Sequence, residues 1–176
     1  MASFEDIKAY FKQQDDASLQ KGVLPMRSTE VGFWGVSHLD DVKDFFEQKR
    51  FAKDTKFLDL GSGDGRVVLV ASLYVDAVGV EFDEELISRS REAAKKLGMD
   101  VSFIQEDFRS LDWSLFDVLY SYADQRWDSF KEKLLSELSG ELYCYHDTYR
   151  PNFLSKEKIT WVGQIPVFCF RNKEKN

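Results

Sequence analysis

Residues 57–67 read FLDLGSGDGRV, an apolar segment followed by glycines at every second position. The apolar residues before the glycines predict a buried strand, and apolar residues at helical spacing follow from 67 to 73, so the glycines lie in a strand-to-helix turn. Glycine can adopt positive φ, which brings peptide N–H groups close to a ligand at a helix N-terminus that favours anions. The segment therefore predicts an α/β fold with a nucleotide-like cofactor at Gly61, Gly63 and Gly65.

The residues around these glycines narrow the choice of cofactor. Arg66 stands where the dinucleotide-binding pattern G-x-G-x-x-G needs its third glycine, and the Lys-Ser or Lys-Thr pair of a P-loop is absent from the sequence at this point. Asp59 adds a carboxylate at the strand end, which suits an ammonium or sulfonium group better than phosphates. S-adenosylmethionine matches this pattern, because loop N–H groups can bind its carboxylate while acidic and carbonyl oxygens balance its ammonium.

Two further predicted strands end in acidic and aromatic residues. They are residues 77–81 (AVGVE) and 101–105 (VSFIQ). Glu81 occupies the position at which nucleotide-binding sheets place an acceptor for ribose hydroxyls, and Phe82 is predicted to lie against the purine. Asp107 is predicted to accept from the adenine amino group, with Phe108 packed on the ring.

Each of these side chains also has a purely structural interpretation. Glu81 alone is typical of a solvated loop carboxylate, and Asp107 can cap a short turn that contains Ser110. Phe82 and Phe108 can be core or edge residues. The order of the acidic strand ends favours cofactor binding.

The series Asp59-x-Gly-x-Gly-x-Gly, Val80-Glu81-Phe82-Asp83 and Glu106-Asp107-Phe108 resembles motifs one to three of the class I S-adenosylmethionine-dependent methyltransferases, over about residues 36–146. The resemblance implies a doubly wound, mostly parallel seven-stranded sheet with helices on both faces. It places the cofactor over the carboxyl ends of the first half of the sheet. The cofactor-binding residues expected are Asp59, Gly61, Ser62, Gly63, Gly65, Glu81, Phe82, Asp107, Phe108 and Ser121.

A second resemblance concerns the acceptor. The phrase LDLGSGDGR, the tyrosine after the fourth strand and the sequence Tyr145-His146-Asp147 are similar to a protein-lysine methyltransferase group known from archaea and mitochondria. This similarity implies a lysine amine as the methyl acceptor.

The predicted elements form one domain over residues 1–176. A helix at 3–20 and a loop interrupted by Gly22, Pro25 and Gly32 make up an N-terminal segment, 1–35. The cofactor-binding core covers 36–146 and begins with a helix at 38–50 capped by Ser37. An antiparallel hairpin lies in 147–176. The other predicted elements are a helix at 84–97, a strand at 116–120, a helix at 127–138, a strand at 141–146 and hairpin strands at 158–162 and 167–171.

Composition limits the classes of partner. The chain of 176 residues is 43% hydrophobic, which suits one domain with a sizeable core. Its formal charge of −7 disfavours a nucleic-acid partner.

The two cysteines, Cys144 and Cys169, lie in apolar runs, which predicts reduced core residues rather than a metal site or disulfide. With no apolar run of membrane-spanning length, a cytoplasmic location is the expectation. The oligomeric state stays open.

Methyl transfer from a sulfonium is an in-line displacement with an activated leaving group, so positioning should contribute most of the catalysis. Residues 121–124 (SYAD), with Phe33 and Trp34, are predicted to form the substrate wall. Tyr122 could face an acceptor amine, Asp124 could attract a cation and His146 could accept a proton. The structural alternatives are that Tyr122 caps the core, Asp124 caps a helix and His146 binds a backbone carbonyl.

Three functions remain open at this point. The SYAD segment lacks the Asn/Asp-Pro-Pro-aromatic pattern with which nucleobase methyltransferases bind an exocyclic nitrogen, which disfavours a nucleobase acceptor. The resemblance to protein-lysine methyltransferases and the acidic charge favour a protein lysine. A small-molecule acceptor is the alternative, because residues 1–35 could form either a lid or a docking surface. A non-catalytic module that binds S-adenosylmethionine is the third.

Overall fold

The computed structural model describes residues 2–30, 32–122, 126–146 and 148–173. Within these residues, β1 (Met26–Ser28) and β2 (Phe33–Gly35) form a separate hairpin. The strands of the main sheet are β3 (Lys56–Leu60), β4 (Asp76–Glu81), β5 (Ser102–Gln105), β6 (Val118–Tyr122), β7 (Glu141–Tyr145), β8 (Ser155–Val162) and β9 (Ile165–Arg171). The α-helices are α1 (Phe4–Gln20), α2 (Leu39–Lys49), α3 (Arg66–Ala71), α4 (Glu84–Leu97) and α5 (Lys131–Glu137).

The described part of the main sheet has seven strands in the order β5-β4-β3-β6-β7-β9-β8. Strands β3 to β7 are parallel, and β9 runs antiparallel to both β7 and β8. The strand order reverses between β3 and β6, so the loops after these two strands diverge and leave a crevice at the carboxyl ends. The predicted sheet, with its antiparallel C-terminal hairpin, is confirmed.

Alternate strand residues face two separate cores. Phe57 and Tyr120 pack with residues of α1 to α4 on one face. Leu58 and Leu119 pack on the other face, with Trp113 and residues of α5. Because successive side chains of a strand point in opposite directions, apolar strands of this kind need cover on both sides. The prediction of helices on both faces is confirmed.

Several boundaries differ from the predicted ones. The loop expected after α1 contains the β1–β2 hairpin, whose strands are too short to produce a period-two pattern. The cap position of α2 is His38 rather than Ser37, and acidic residues in the first turn supply the favourable charge there. Strand β6 extends to Tyr122, so Ser121 and Tyr122 belong to the strand itself. The helix expected at 127–138 is split into a 3-10 turn, Trp127–Phe130, and α5.

Candidate functional site

The crevice at the carboxyl ends of β3, β4 and β6 is covered by the β1–β2 hairpin and holds two adjoining cavities. The aromatic cavity, about 90 Å³, is lined by Thr29, Gly32, Phe33, Trp34, Gly35, Leu60, Gly61, Glu81, Phe82, Leu86, Phe108, Ser121, Tyr122, Trp127 and Phe130. The glycine-loop cavity, about 30 Å³, is lined by Trp34, Gly35, Ser37, Asp59, Gly61, Ser62, Gly63, Asp64, Arg66, Val67, Tyr120 and Tyr122. Trp34, Gly35, Gly61 and Tyr122 line both cavities, which are therefore two ends of one site.

The glycine loop between β3 and α3 is held by its own backbone. The N–H groups of Gly61 and Ser62 donate to the Val80 carbonyl at 3.0 and 2.9 Å. The Gly63 N–H donates to Oε2 of Glu81 at 2.9 Å, and the Gly65 N–H donates to the Ser62 carbonyl at 3.0 Å. These four N–H groups are therefore not available to bind the cofactor carboxylate, contrary to our expectation. Their bonds fix the shape of the loop instead.

Within the glycine loop the missing Cβ matters at two positions, Gly63 and Gly65, both of which have positive φ. A Cβ on Gly63 would lie 2.5 Å from the Trp34 indole, so the loop and the hairpin touch only because residue 63 is glycine. A Cβ on Gly65 would lie 2.6 Å from Ser90 and 2.7 Å from Phe103. Gly65 lines neither cavity, and its role in the structure is the close packing of the loop on α4 and β5.

Glu81 lies at the end of β4 and lines the aromatic cavity. Its Oε1 accepts the Asp83 N–H at 2.9 Å, while its Oε2 accepts the Gly63 N–H. Two backbone donors thus orient a carboxylate that is 7% exposed. Since a carboxylate has about four acceptor positions, Glu81 retains capacity to accept from hydroxyl groups of a ligand.

Asp59 forms part of the wall of the glycine-loop cavity and is 4% exposed. Burial, and secondarily the negative charge of Glu81, raise the pKa of Asp59 to about 8. A cation placed beside Asp59 would stabilise its ionised form and reverse part of this shift. The chemistry of this cavity therefore fits an amino-acid ammonium group.

Phe82 and Phe108 supply two rings to the aromatic cavity. Phe82 is 44% exposed, whereas Phe108 is held by stacking on Trp113, with 6.2 Å between ring centroids. Ser121 lines the same cavity and its Oγ donates to the Leu60 carbonyl at 3.4 Å. These apolar walls suit the purine of S-adenosylmethionine. Glu81 and Asp59 add acceptors that suit its ribose hydroxyls and its ammonium group.

Comparison with known proteins identifies the family. A family model described as a methyltransferase domain matches residues 51–139, about half of the chain. The chain belongs to this methyltransferase family. The predicted class I fold is confirmed, and the family match confirms the prediction of a methyltransferase. The resemblance to protein-lysine methyltransferases is not confirmed.

Solved structures share the fold of this methyltransferase. The RNA methyltransferase from Salinibacter ruber in complex with S-adenosyl-L-homocysteine has a TM-score of 0.66 at 24% identity, covering 80% of this chain and 96% of that one. Magnesium protoporphyrin IX methyltransferase from Synechocystis with bound S-adenosylmethionine has a TM-score of 0.60 at 12% identity, covering 75% and 77%. At these identities the similarity shows the fold alone.

One curated relative matches by sequence. It is an uncharacterized protein from Methanocaldococcus jannaschii, 39% identical over 57 residues. The match covers 31% of this methyltransferase and 26% of the relative, so it spans about a quarter of the relative's length.

Asp107 of the methyltransferase lines neither cavity. Its side chain caps the 3-10 turn Phe108–Ser110 by accepting the Arg109 N–H at 2.9 Å, and it also pairs with the Arg109 guanidinium. The structure therefore favours the capping alternative over the predicted adenine contact, because the turn already uses this carboxylate. Ser62 lines the glycine-loop cavity, but its buried Oγ packs toward Gly79 and has no hydrogen-bond partner among the described residues.

The three catalytic candidates have different positions. Tyr122 is 51% exposed and lines both cavities. His146 lines neither, has φ 74°, donates its N–H to the Pro166 carbonyl and places its ring Nδ1 3.0 Å from the Thr148 hydroxyl. The ring therefore contacts a hydroxyl rather than the backbone carbonyl of the structural alternative, and the proton-accepting role of His146 stays a prediction. Asp124 lies outside the described residues.

Arg66 lines the glycine-loop cavity, although it is not among the predicted cofactor-binding residues. Its guanidinium bonds to Asp64 and to Asp15 of α1, with Nη2 distances of 2.7 and 2.9 Å. Burial alone would lower the pKa of Arg66, but the two carboxylates raise it above its ordinary value. The signal for this role in the sequence is a charged residue at the start of α3, whose other residues are all apolar.

The described residues contain no group of three or more His, Cys, Asp or Glu that could hold a metal. Within the same part of the chain, no helix is both long and apolar enough to cross a membrane. Cys144 and Cys169 are buried free thiols, and burial raises the pKa of Cys169 to about 11.

Proposed function

We propose that the chain binds S-adenosylmethionine across both cavities and transfers its methyl group to an acceptor that approaches beside Tyr122. The observation that carries this proposal is that an aromatic cavity and a polar, glycine-lined cavity meet at Trp34, Gly61 and Tyr122. A cofactor with an adenosine at one end and an amino acid at the other requires two such environments in contact.

The proposed contacts follow the chemistry of each end. Glu81 accepts from the ribose hydroxyls, and Phe82 and Phe108 enclose the adenine together with Ser121. Asp59 balances the ammonium group in the glycine-loop cavity. Gly61, Ser62 and Gly63 contribute backbone surface, while Gly65 supports the loop from behind.

The bound cofactor would supply an activated methyl group on a sulfonium. The chain contributes by holding the reacting groups in line, which is worth about 7–11 kcal/mol in well-oriented systems. The internal hydrogen bonds of the glycine loop favour this role, because a loop already fixed needs little reorganisation. Tyr122 limits the direction from which an acceptor approaches. The displacement itself needs no acid–base residue of the chain. A lysine acceptor must first lose its ammonium proton to water, because only the neutral amine has the lone pair that attacks the methyl carbon and displaces S-adenosylhomocysteine.

A protein lysine is the proposed acceptor. The formal charge of −7 suits a basic partner. Near the site, the Tyr122 ring lies 5.8 Å from the Tyr145 ring, and the Tyr145 hydroxyl donates to Asp41 at 3.2 Å. Aromatic rings beside a carboxylate are suited to an amine. A small molecule is the second candidate, favoured by the hairpin that covers the crevice.

Calorimetric titration with S-adenosylmethionine and S-adenosylhomocysteine tests the cofactor site. Gly63→Val should weaken binding of both at least about tenfold, because its side chain enters the space of Trp34. Asp59→Ala should also weaken binding, because it removes the carboxylate beside the ammonium.

Gly98→Val is the matched control. Gly98 has a similar positive φ, 62° against 56° at Gly63, but nothing lies within 4 Å of its Cβ position. Wild-type affinity in both site variants would contradict the proposed site.

Labelled cofactor and a cell extract test the acceptor class. The extract is divided into macromolecular and small-molecule fractions before incubation. Label on protein lysines supports the first candidate, and label confined to small molecules supports the second. If neither fraction is labelled although the protein binds the cofactor, the non-catalytic module is the better description.

A further inference from the structure

The β1–β2 hairpin directs two side chains toward the rest of the protein. Arg27 and Trp34 are directly opposite each other in the antiparallel register, so they lie on the same face of the hairpin. Both are half-buried, whereas Met26 and Ser28 on either side of Arg27 are exposed. The inward face of the hairpin therefore carries one cation and one large aromatic ring.

Arg27 joins the hairpin to the residues that follow β4. Its Nη2 donates to Oδ1 of Asp83 at 2.8 Å and to Oε2 of Glu85 at 3.2 Å. Asp83 caps α4 by accepting the Leu86 N–H and follows Glu81 by two residues. Contact between Arg27 and Asp83 thus ties the position of the hairpin to the loop that carries Glu81 and Phe82.

Trp34 covers the other end of the site. Its indole lies against Gly63, where a Cβ would approach to 2.5 Å, and it lines both cavities. The Arg89 guanidinium lies 5.9 Å from the centroid of the Trp34 ring. An indole face attracts cations, and a sulfonium or ammonium group is one. Trp34 is therefore chemically suited to contact the charged part of the cofactor.

The glycine-loop end of the site is closed by Trp34. The glycine-loop cavity measures about 30 Å³, which is room for about two water molecules, so an amino-acid group does not fit there while the indole stays against Gly63. The aromatic cavity measures about 90 Å³, and a third cavity of about 400 Å³ is lined by Arg27, Asp83 and Glu85 beside Phe82. Within the described residues the hairpin is a two-stranded sheet that pairs with no strand of the main sheet. Its displacement would break the Arg27 ion pairs and the Trp34 contact without disrupting the seven-stranded sheet.

We propose that the hairpin is a lid and that Trp34 is the cofactor-contacting residue that it carries. The lid opens to admit S-adenosylmethionine and closes with the indole beside the cofactor. Arg27 is a positioning residue that holds the closed lid through Asp83 and Glu85. This inference depends on the proposed function, because the ligand is the same cofactor.

Stopped-flow measurement of S-adenosylhomocysteine binding to the full chain tests these roles without turnover. Trp34→Ala should weaken binding about tenfold. Arg27→Met should raise the dissociation rate about fivefold, since it releases the lid but leaves the pocket intact. Arg109→Met is the matched control, because its ion pair with Asp107 lies outside both cavities. Thermal denaturation shows whether each variant is folded.

A crosslink between lid and core gives a second measurement. Arg27→Cys and Glu85→Cys are combined and joined by a short bismaleimide, and the two native cysteines are buried and so protected. Crosslinking the empty protein should abolish association, while the same protein without the linker binds.

Different results would contradict the lid and the cofactor site. Unchanged association after crosslinking, or wild-type kinetics in both Trp34→Ala and Arg27→Met, would overturn the lid while leaving the cofactor site in place. If the wild-type protein binds neither S-adenosylmethionine nor S-adenosylhomocysteine, the proposed function fails, and the lid assignment fails with it.

Discussion

At the scale of single residues, Asp59 shows how the fold changes the chemistry of a side chain. It pairs in register with Gly79 on one side and Tyr120 on the other, so it lies in the middle of the sheet. Water is nearly absent there, and the ionised form of a carboxyl group is disfavoured. The pKa of Asp59 is raised to about 8 from 3.8, so without a bound cation the group is mostly protonated at neutral pH.

This shift predicts how stability depends on pH. The folded protein keeps the Asp59 proton up to about pH 8, whereas the unfolded chain loses it near 3.8. The folded state therefore binds more protons in this window, and the contribution of Asp59 to the free energy of unfolding falls as pH rises through it. Asp59→Asn should remove that loss, so that the variant gains stability relative to wild type between about pH 5 and about pH 8, on the order of a few kcal/mol.

Urea unfolding at several pH values measures this difference. Asp76→Asn is the control, because Asp76 is exposed at the start of the neighbouring strand. A difference between Asp59→Asn and wild type that is constant with pH would contradict the assignment.

At the scale of secondary structure elements, Arg66 connects α1 to the glycine loop. Its side chain is 6% exposed between Asp64 of the loop and Asp15 of α1, and its guanidinium carbon lies 4.7 Å from the centre of the Phe11 ring. A buried ion pair need not stabilise a fold more than apolar residues would, but removal of one partner leaves the other charge uncompensated. The position of α1 therefore depends on the buried Arg66 guanidinium, whose charge is balanced by Asp64 and by Asp15 of α1.

Arg66→Met should therefore destabilise the protein by about 3–5 kcal/mol, because Asp64 would remain buried without its cation. Hydrogen exchange should also become faster along α1 than along α4. Lys12→Met is the matched control on α1, since Lys12 pairs with Asp16 at the exposed surface and should matter little. Equal effects of the two substitutions on the free energy of unfolding would contradict a special role for Arg66.

At the scale of the whole molecule, the net charge of −7 bears on the acceptor. Attraction between this charge and a basic protein acceptor is screened over about 10 Å at 0.1 M salt and about 3 Å at 1 M. If the acceptor is a basic protein, kcat/KM for it should fall about tenfold or more across this range. S-adenosylhomocysteine affinity, measured in parallel, should change much less because that contact is enclosed. Salt-independent methylation would argue for an uncharged or small acceptor.

The sequence predicted the central sheet well because each strand is specified by residues that are adjacent in the chain. Strands β3, β4 and β5 are short apolar runs that end at a glycine or a carboxylate, and chain order alone places these ends at one edge of the sheet. The β1–β2 hairpin was missed because three-residue strands leave no periodic signal. The motif position of Asp107 predicts a contact with adenine. In the structure its carboxylate instead accepts hydrogen bonds from the N–H and the guanidinium of Arg109.

The sequence by itself determined the α/β sheet, the glycine loop at its carboxyl edge and the methyltransferase family, because these depend on residue type, spacing and order along the chain. The division into segments 1–35, 36–146 and 147–176 stays a prediction. Tertiary structure alone decided that the loop N–H groups are used internally, that Trp34 lies over Gly63, and that Asp59 is buried deeply enough to hold a proton. Those facts depend on contacts between residues far apart in the chain, and on the exclusion of water that packing produces.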